Sequence, residues 1–153
     1  MFRGAQTGNV DAKGRLKPSS VVQRALIDEY ESGDVFITSL DGVAVKIFPI
    51  KEWETVEARL ADKSPDGNQE MNGAVKNKFL FQANRFGAEN TLDNQGRFLV
   101  PALLRDTAGM RGEVNIQWQS NHMVVLSAAN YDAATVANQL SSDELGRSAD
   151  YGF

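Results

Sequence analysis

The stretch Asp11-Ala12-Lys13-Gly14-Arg15-Leu16-Lys17-Pro18 returns later in the chain as Asp93-Asn94-Gln95-Gly96-Arg97-Phe98-Leu99-Val100, and the reading of the whole sequence turns on that repetition. The pattern extends over thirteen positions, 11–23 and 93–105, with aspartate, glycine and arginine recurring at an offset of 82. A fixed-offset repeat is one structural unit built twice. In each copy the aspartate can accept hydrogen bonds from amides of its own turn, and the glycine supplies the backbone freedom a tight reversal needs. The arginine then leaves the turn at a set angle, where the aspartate can pair with it and steady its fork. A guanidinium offered this way suits a phosphate, or the O6/N7 edge of guanine, which it binds bidentately. A purely structural ion pair is the competing reading for one copy; two copies favour presentation of Arg15 and Arg97, with Asp11, Gly14, Asp93 and Gly96 shaping the turns.

Around these turns each half repeats one plan. Residues 7–10 read as extended, 11–14 as a turn, and Leu16 and Lys17 resume the strand. Ser19 or Ser20 can cap a short helix through Ile27, with Val21, Val22 and Leu26 on one side. Two strand-like runs, 35–39 and 43–48, flank Leu40-Asp41-Gly42, a hairpin signal. Pro49 leads into a helix with Trp53, Val56 and Leu60 as its apolar stripe. Residues 62–69 are a polar connector, and 71–83 is expected to be a helix burying Val75, Phe79 and Leu80. The second half follows with 86–92 extended, a turn at 93–96, and 98–100 extended. Pro101 suits the first position of a helix through Ala108. A hairpin, 114–118 and 123–126, surrounds Ser120-Asn121, and 128–140 is a helix. The division expected is therefore a first half at 1–61, a connector and linking helix at 62–83, a second half at 84–140, and a tail at 141–153 without order. Such short strands are marginal alone. Two units that bury their apolar faces together predict an α+β, mainly β fold, with pseudo-symmetric halves interleaved into a barrel and helices packed outside.

Composition bounds what the chain can do. Its 153 residues suit one compact domain, and 42% apolar content is enough for a core. With no cysteine, disulfides and thiolate metal sites are excluded, and a reducing cytoplasm is the expected compartment. The start, Met1-Phe2-Arg3-Gly4, shows no signal peptide, and no apolar run approaches the ~20 residues of a membrane helix. The net charge is −4, yet it is unevenly spread. Residues 1–24 hold Arg3, Lys13, Arg15, Lys17 and Arg24 against Asp11, a local +4 that marks a candidate anion-binding face. Residues 84–111 hold Arg85, Arg97, Arg105 and Arg111 against Glu89, Asp93 and Asp106, a local +1, so the second half is expected to contribute less. Lys13, Lys17 and Arg24 read as phosphate contacts or as a solvated face. Arg3 extends the basic surface or frays with the terminus. Arg105 and Arg111 carry less weight because Asp106 and Glu113 neighbour them.

No constellation supports catalysis. His122, the only histidine, lies at a hairpin tip without a serine, a cysteine or an acid motif to frame it. Metal-ligand spacing and a phosphate-cradling glycine loop are both absent from the sequence. No cofactor is implied. Trp53, Trp118, Phe79 and Phe81 read as core.

These landmarks together closely resemble the MraZ family of bacterial transcriptional regulators. The matching stretches are Met1-Phe2-Arg3-Gly4, Asp11 to Lys17, Thr38-Ser39-Leu40-Asp41-Gly42, Ile47-Phe48-Pro49, Trp53, and Asp93 to Arg105, in order over about residues 1–140. The resemblance implies tandem SpoVT–AbrB-type halves, a swapped-hairpin barrel within one chain, and a repressor that binds double-stranded promoter DNA. It further implies closed homo-oligomeric rings, operators of short direct repeats ahead of the division and cell-wall gene cluster, and a cytoplasmic, nucleoid-associated protein. The family's DNA-contacting arginine falls on Arg15 and, through the repeat, on Arg97. With the basic residues around them, Arg3, Lys13, Arg15, Lys17 and Arg97 form the expected DNA-binding set. One departure stands out. The second copy follows its strand with Val100-Pro101, whereas the first has Pro18-Ser19, which removes a backbone donor one residue early. An antitoxin-like or structural assembly protein of the same barrel class, with a protein partner, is the alternative.

Overall fold

The computed structural model describes residues 2–62 and 73–153. The connector expected at 62–69 and the start of the helix expected at 71 fall almost wholly outside the described residues. The first half supplies β1 (Gln6–Val10), β2 (Arg15–Pro18), α1 (Ser20–Tyr30), β3 (Asp34–Thr38), β4 (Val45–Pro49) and α2 (Ile50–Ala61). After α3 (Gly73–Phe86), the second half supplies β5 (Ala88–Thr91), β6 (Phe98–Leu99), α4 (Ala102–Thr107), β7 (Gly112–Gln119), β8 (His122–Ser127) and α5 (Ala128–Ala137).

The eight strands form one antiparallel sheet in the order β5-β3-β4-β8-β7-β1-β2-β6. Neither half completes its own sheet. The β1–β2 hairpin lies between β7 and β6 of the second half, and β5 pairs with β3 of the first. The open ends meet where Leu99 N–H donates to the Asn90 side-chain oxygen at 3.0 Å, bringing the sheet close to a closed barrel. Exchanging the halves reproduces the pairing scheme except at β1–β2, whose counterpart between β5 and β6 is only the Leu99–Asn90 bond. Leu16 pairs with Phe98, its own repeat mate, and Lys46 pairs with Val124 between the symmetric pairs Val45↔Val125 and Ile47↔Met123. A pseudo-twofold axis therefore passes through both points.

Alternation along the strands sends one face inward. Leu16, Val35, Ile37, Val45, Ile47, Phe98, Val114, Ile116 and Val125 fill the barrel, joined by Val22, Leu26 and Leu104 from the helices and by Phe2 from the terminus. Each large side chain fully buried there contributes roughly 1.5–3 kcal/mol. Outside the barrel, α2 lays Trp53 on Phe36, stacked at 4.5 Å, and on Phe48 at 5.2 Å. Thr38 Oγ1 donates to the Ala83 carbonyl at 2.6 Å and ties α3 to the same spot.

Several boundaries differ from the sequence reading. Strand β4 begins at Val45, because Ser39 and Asp41 hold residues 42–44 in a wider loop: Asp41 Oδ1 accepts from the Val43 and Ala44 amides, and Ser39 Oγ accepts from Gly42 N–H. Helix α1 runs on to Tyr30, whose hydroxyl donates to Glu52 at 3.1 Å. Helix α3 continues to Phe86 because Ala83 and Phe86 are its apolar anchors; Phe81, expected in the core, points outward with 66% exposed, and Val75, Phe79 and Leu80 are only half-buried. Val21 is likewise exposed, so Val22 and Leu26 carry the buried side of α1. Pro101 caps α4 instead of entering it. Helix α5 stops at Ala137, short of the expected Leu140. The tail, expected without order, holds α6 (Ser142–Gly146), whose Ser141 and Glu144 form a reciprocal capping box.

His122 is a packing residue. Its ring stacks on Phe48 at 4.6 Å, Nδ1 faces Asn121 Oδ1 at 2.7 Å, and Nε2 is buried without a partner. Burial, with Lys46 nearby, pulls its pKa from 6.5 down to about 4. The folded state thus resists a proton that the unfolded chain accepts, so this residue costs stability progressively as pH falls from 6.5 to about 4. His122→Phe should therefore gain on the wild type in melting temperature on going from neutral pH to about pH 5. A gap that stays constant across that interval would contradict this account.

Candidate nucleic-acid interface

The two arginine turns are superposable in their bonding. In the first, Gly14 N–H donates to Asp11 O at 3.0 Å and Asp11 N–H to Arg15 O at 3.0 Å. Asp11 Oδ1 accepts from the Lys13 and Arg15 amides at 3.0 and 2.9 Å, and Oδ2 accepts from Arg15 Nε at 2.6 Å. In the second, Gly96 N–H donates to Asp93 O and Asp93 N–H to Arg97 O, both at 2.9 Å. Asp93 Oδ1 accepts from the Gln95 and Arg97 amides, and Oδ2 from Arg97 Nε, all at 2.9 Å. Gly14 and Gly96 take φ of 80° and 73°, the left-handed backbone that glycine alone adopts freely.

In both turns one aspartate thus fixes backbone and guanidinium at once. It engages Nε, so the two Nη groups are left for another acceptor, in the fork geometry a phosphate or a guanine edge matches. The Arg15 amide, and then the paired guanidinium, hold the Asp11 carboxyl below its ordinary 3.8; the Arg97 amide and guanidinium do the same for Asp93. The turns' contribution to stability is full above that ordinary value and is lost only as pH falls below it, through the lowered ones. The arginine side chains remain 34% and 21% exposed, accessible but not free to wander.

The β2–β6 pairing brings the turns together. Leu16 and Phe98 point into the barrel, so Arg15, Lys17, Arg97 and Leu99 share the outer face. Arg15 lies across from Leu99, and the same register carried on sets Lys17 across from Arg97. The two arginines are thus diagonal neighbours about the pseudo-twofold axis, with Lys13 exposed at the first turn. Arg3 is not brought to the first turn: the whole of β1 lies between them.

Folding also redistributes charge relative to the linear sequence. Each turn lies against the short helix of the opposite half: Asp11 and Ala12 line a cleft with Ala102, Arg105, Asp106 and Arg111, while Asp93 and Asn94 line one with Ser20, Gln23, Arg24 and Asp28. Arg24 and Lys17, counted with the first turn along the chain, stand beside the second. Asp106 is not a neutralising partner of Arg105, because it accepts from Arg111 at 3.0 Å. The contrast of +4 against +1 is therefore smaller in space than in sequence.

The Pro18 departure has a visible consequence. Val100 N–H donates to the Gly14 carbonyl at 2.8 Å, pinning the first turn to β6. Its repeat mate is Pro18, which has no N–H to offer the Gly96 carbonyl. The second turn is built without that bond. Gln23 and Arg105, the last positions of the thirteen-residue repeat, are the site residues that the sequence reading undervalued; their common offset of 82 was the available signal.

Among the described residues there is no group of three or more His, Asp or Glu arranged to hold a metal ion, and no helix long and apolar enough to cross a membrane.

A nearly closed barrel of two interleaved halves, each carrying one aspartate-locked arginine turn on a shared face, defines a class of pseudo-symmetric barrel proteins. The chain is 36% identical over 153 residues, all of it and all of the relative, to the Transcriptional regulator MraZ of Acidobacterium capsulatum. It is 34% identical over 128 residues, 84% of this chain and 83% of the relative, to that of Koribacter versatilis, and 31% identical over 152 residues, 98% and 95%, to that of Pseudomonas fluorescens. No protein-family model matches the chain. It belongs to the MraZ family.

Proposed function

We propose that this protein is a sequence-specific DNA-binding transcriptional regulator, a repressor of the promoter of the division and cell-wall gene cluster, acting without enzymatic activity through its arginine turns. The observation that carries the reading is the pair of aspartate-locked guanidiniums, Arg15 on β2 and Arg97 just before β6, diagonal neighbours on one face. Lys13 and Lys17 add phosphate contacts beside them, and Arg3 extends the basic surface at a distance. The names of the relatives, transcriptional regulators, agree with it.

One small basic face on a chain of net −4 neutralises few phosphates, so a single copy binds weakly. Self-association into a closed ring gathers copies of that face on one side and makes later contacts intramolecular. The C-terminal segment supports such assembly: α5 buries no residue, and Val136, Leu140, Leu145, Tyr151 and Phe153 are all more than half exposed. Short direct repeats in duplex DNA would match the array, in a cytoplasmic, nucleoid-associated protein.

The test combines light scattering with gel shifts on the region upstream of the protein's own gene, using fragments that carry one repeat or several. The full operator should bind far more tightly than one repeat, with affinity falling steeply as salt rises. A monomer that binds one repeat as tightly as the full operator would defeat the ring reading. No preference for the operator over bulk DNA would leave the alternative, an antitoxin-like or structural assembly protein with a protein partner.

A further inference from the structure

We propose that Arg105 and Gln23 are positioning residues that clamp the arginine turns, each acting on the turn of the opposite half. The inference rests on the DNA-binding reading only for its consequence; the clamp itself is a matter of protein geometry. Arg105 Nε donates to the Val100 carbonyl at 2.9 Å, and Gln23 Nε2 donates to the Pro18 carbonyl at 2.8 Å. Val100 and Pro18 are repeat mates, as are Arg105 and Gln23. Anchored there, each side chain lies against the turn glycine of the other half. A Cβ built on Gly14 would run into the Arg105 guanidinium, and one on Gly96 into the Gln23 amide.

The glycines are thus required twice over, for their left-handed backbone and for the head group lying against them. On the first turn the clamp closes through Val100, which accepts from Arg105 at its carbonyl and donates to Gly14 O through its N–H. Two chemically different residues do one job because the job needs only a planar head with an N–H, held flat over a glycine and bonded to one carbonyl. Arginine and glutamine share that feature and differ in charge. The guanidinium in the first clamp is therefore serving as a planar donor, and its charge is incidental to the clamp.

The full-length protein without DNA should show this in the amide resonances of Lys13, Gly14 and Arg15. Arg105→Ala should move them, and Arg105→Gln, which installs the head group the other half already uses, should restore them to near the wild-type positions. Gln23→Ala should in turn move Gln95, Gly96 and Arg97 while leaving 13–15 in place, which keeps the proposal testable if one variant folds poorly. Operator affinity should fall by up to roughly tenfold in Arg105→Ala, the upper scale of one lost ordinary hydrogen bond, and return in Arg105→Gln. Unmoved turn resonances in Arg105→Ala, or equal displacement in Arg105→Ala and Arg105→Gln, would overturn the clamp. So would a loss of affinity common to both variants with a salt slope reduced by about one, which would make Arg105 a phosphate contact instead. If the resonances move and recover as stated while operator affinity never changes, the clamp stands and the DNA-binding reading of the turns fails.

Discussion

Arg15→Ala is expected to abolish operator binding while leaving the barrel folded. Arg15 lies on the outer face, and among the described residues its side chain bonds only to Asp11, so its loss opens no cavity in the core. One bidentate guanidinium contact to a base edge is worth ~1–3 kcal/mol. In a ring the loss recurs at every engaged subunit, and the multivalent gain that compounds weak contacts then compounds their absence. Arg97→Ala should weaken binding less. The reason lies less in linear charge, which folding partly evens out, than in preorganisation: the first turn is pinned by Val100 N–H and the second, opposite Pro18, is not. Affinities of the two variants, measured at one salt concentration and with circular dichroism to verify folding, decide the matter. Unchanged affinity in folded Arg15→Ala removes that residue from the site, and equal losses in the two would remove the asymmetry.

Phe98→Ala should be the most damaging single change to the fold. Phe98 is 1% exposed, sits on the pseudo-twofold axis opposite its repeat mate Leu16, and belongs to the shortest strand of the barrel. Truncating a buried phenylalanine costs about 3–5 kcal/mol, because the cavity left behind collapses only in part. Against a total of roughly 5–15 kcal/mol for a domain of this kind, that is a large share. Urea unfolding should show the midpoint falling steeply. A shift equivalent to less than about 0.5 kcal/mol, the usual scale of surface changes, would mean that the β2–β6 seam adds little to holding the halves together.

Much of this arrangement was legible in the chain. The offset repeat, the alternation of Leu16 and Phe98 with Arg15 and Arg97, and the Ser19 cap of α1 are local patterns, and local patterns survive folding. The aspartate-to-guanidinium bond could be read for the same reason, since its partners are four residues apart. The exchange of short helices between halves was not legible. Nothing in residues 20–30 says that Arg24 will stand beside Asn94, because that depends on which copy of a duplicated surface each helix meets. Arg105 was discounted on the proximity of Asp106, yet adjacent helix positions point in different directions, and Asp106 turned to Arg111 instead. Phe81 misled in a similar way, being apolar in type while the buried stripe of α3 ran through Ala83 and Phe86.

The interleaving of β1 with β7 has a consequence for the order in which the molecule comes into being. Gly8 to Val10 can pair at once with residues 16–18, but the other edge of Gln6–Val10 finds its partners only at residues 112–116, and Gly14 meets the side chain that covers it only at residue 105. During synthesis the first arginine turn therefore leaves the ribosome early and waits for most of the chain, several seconds at ~5–20 residues per second, before its surroundings exist. A truncated or nascent product carries Arg15 but not the finished turn. If the protein represses its own gene, only completed molecules can do so, and the feedback counts whole chains instead of starts.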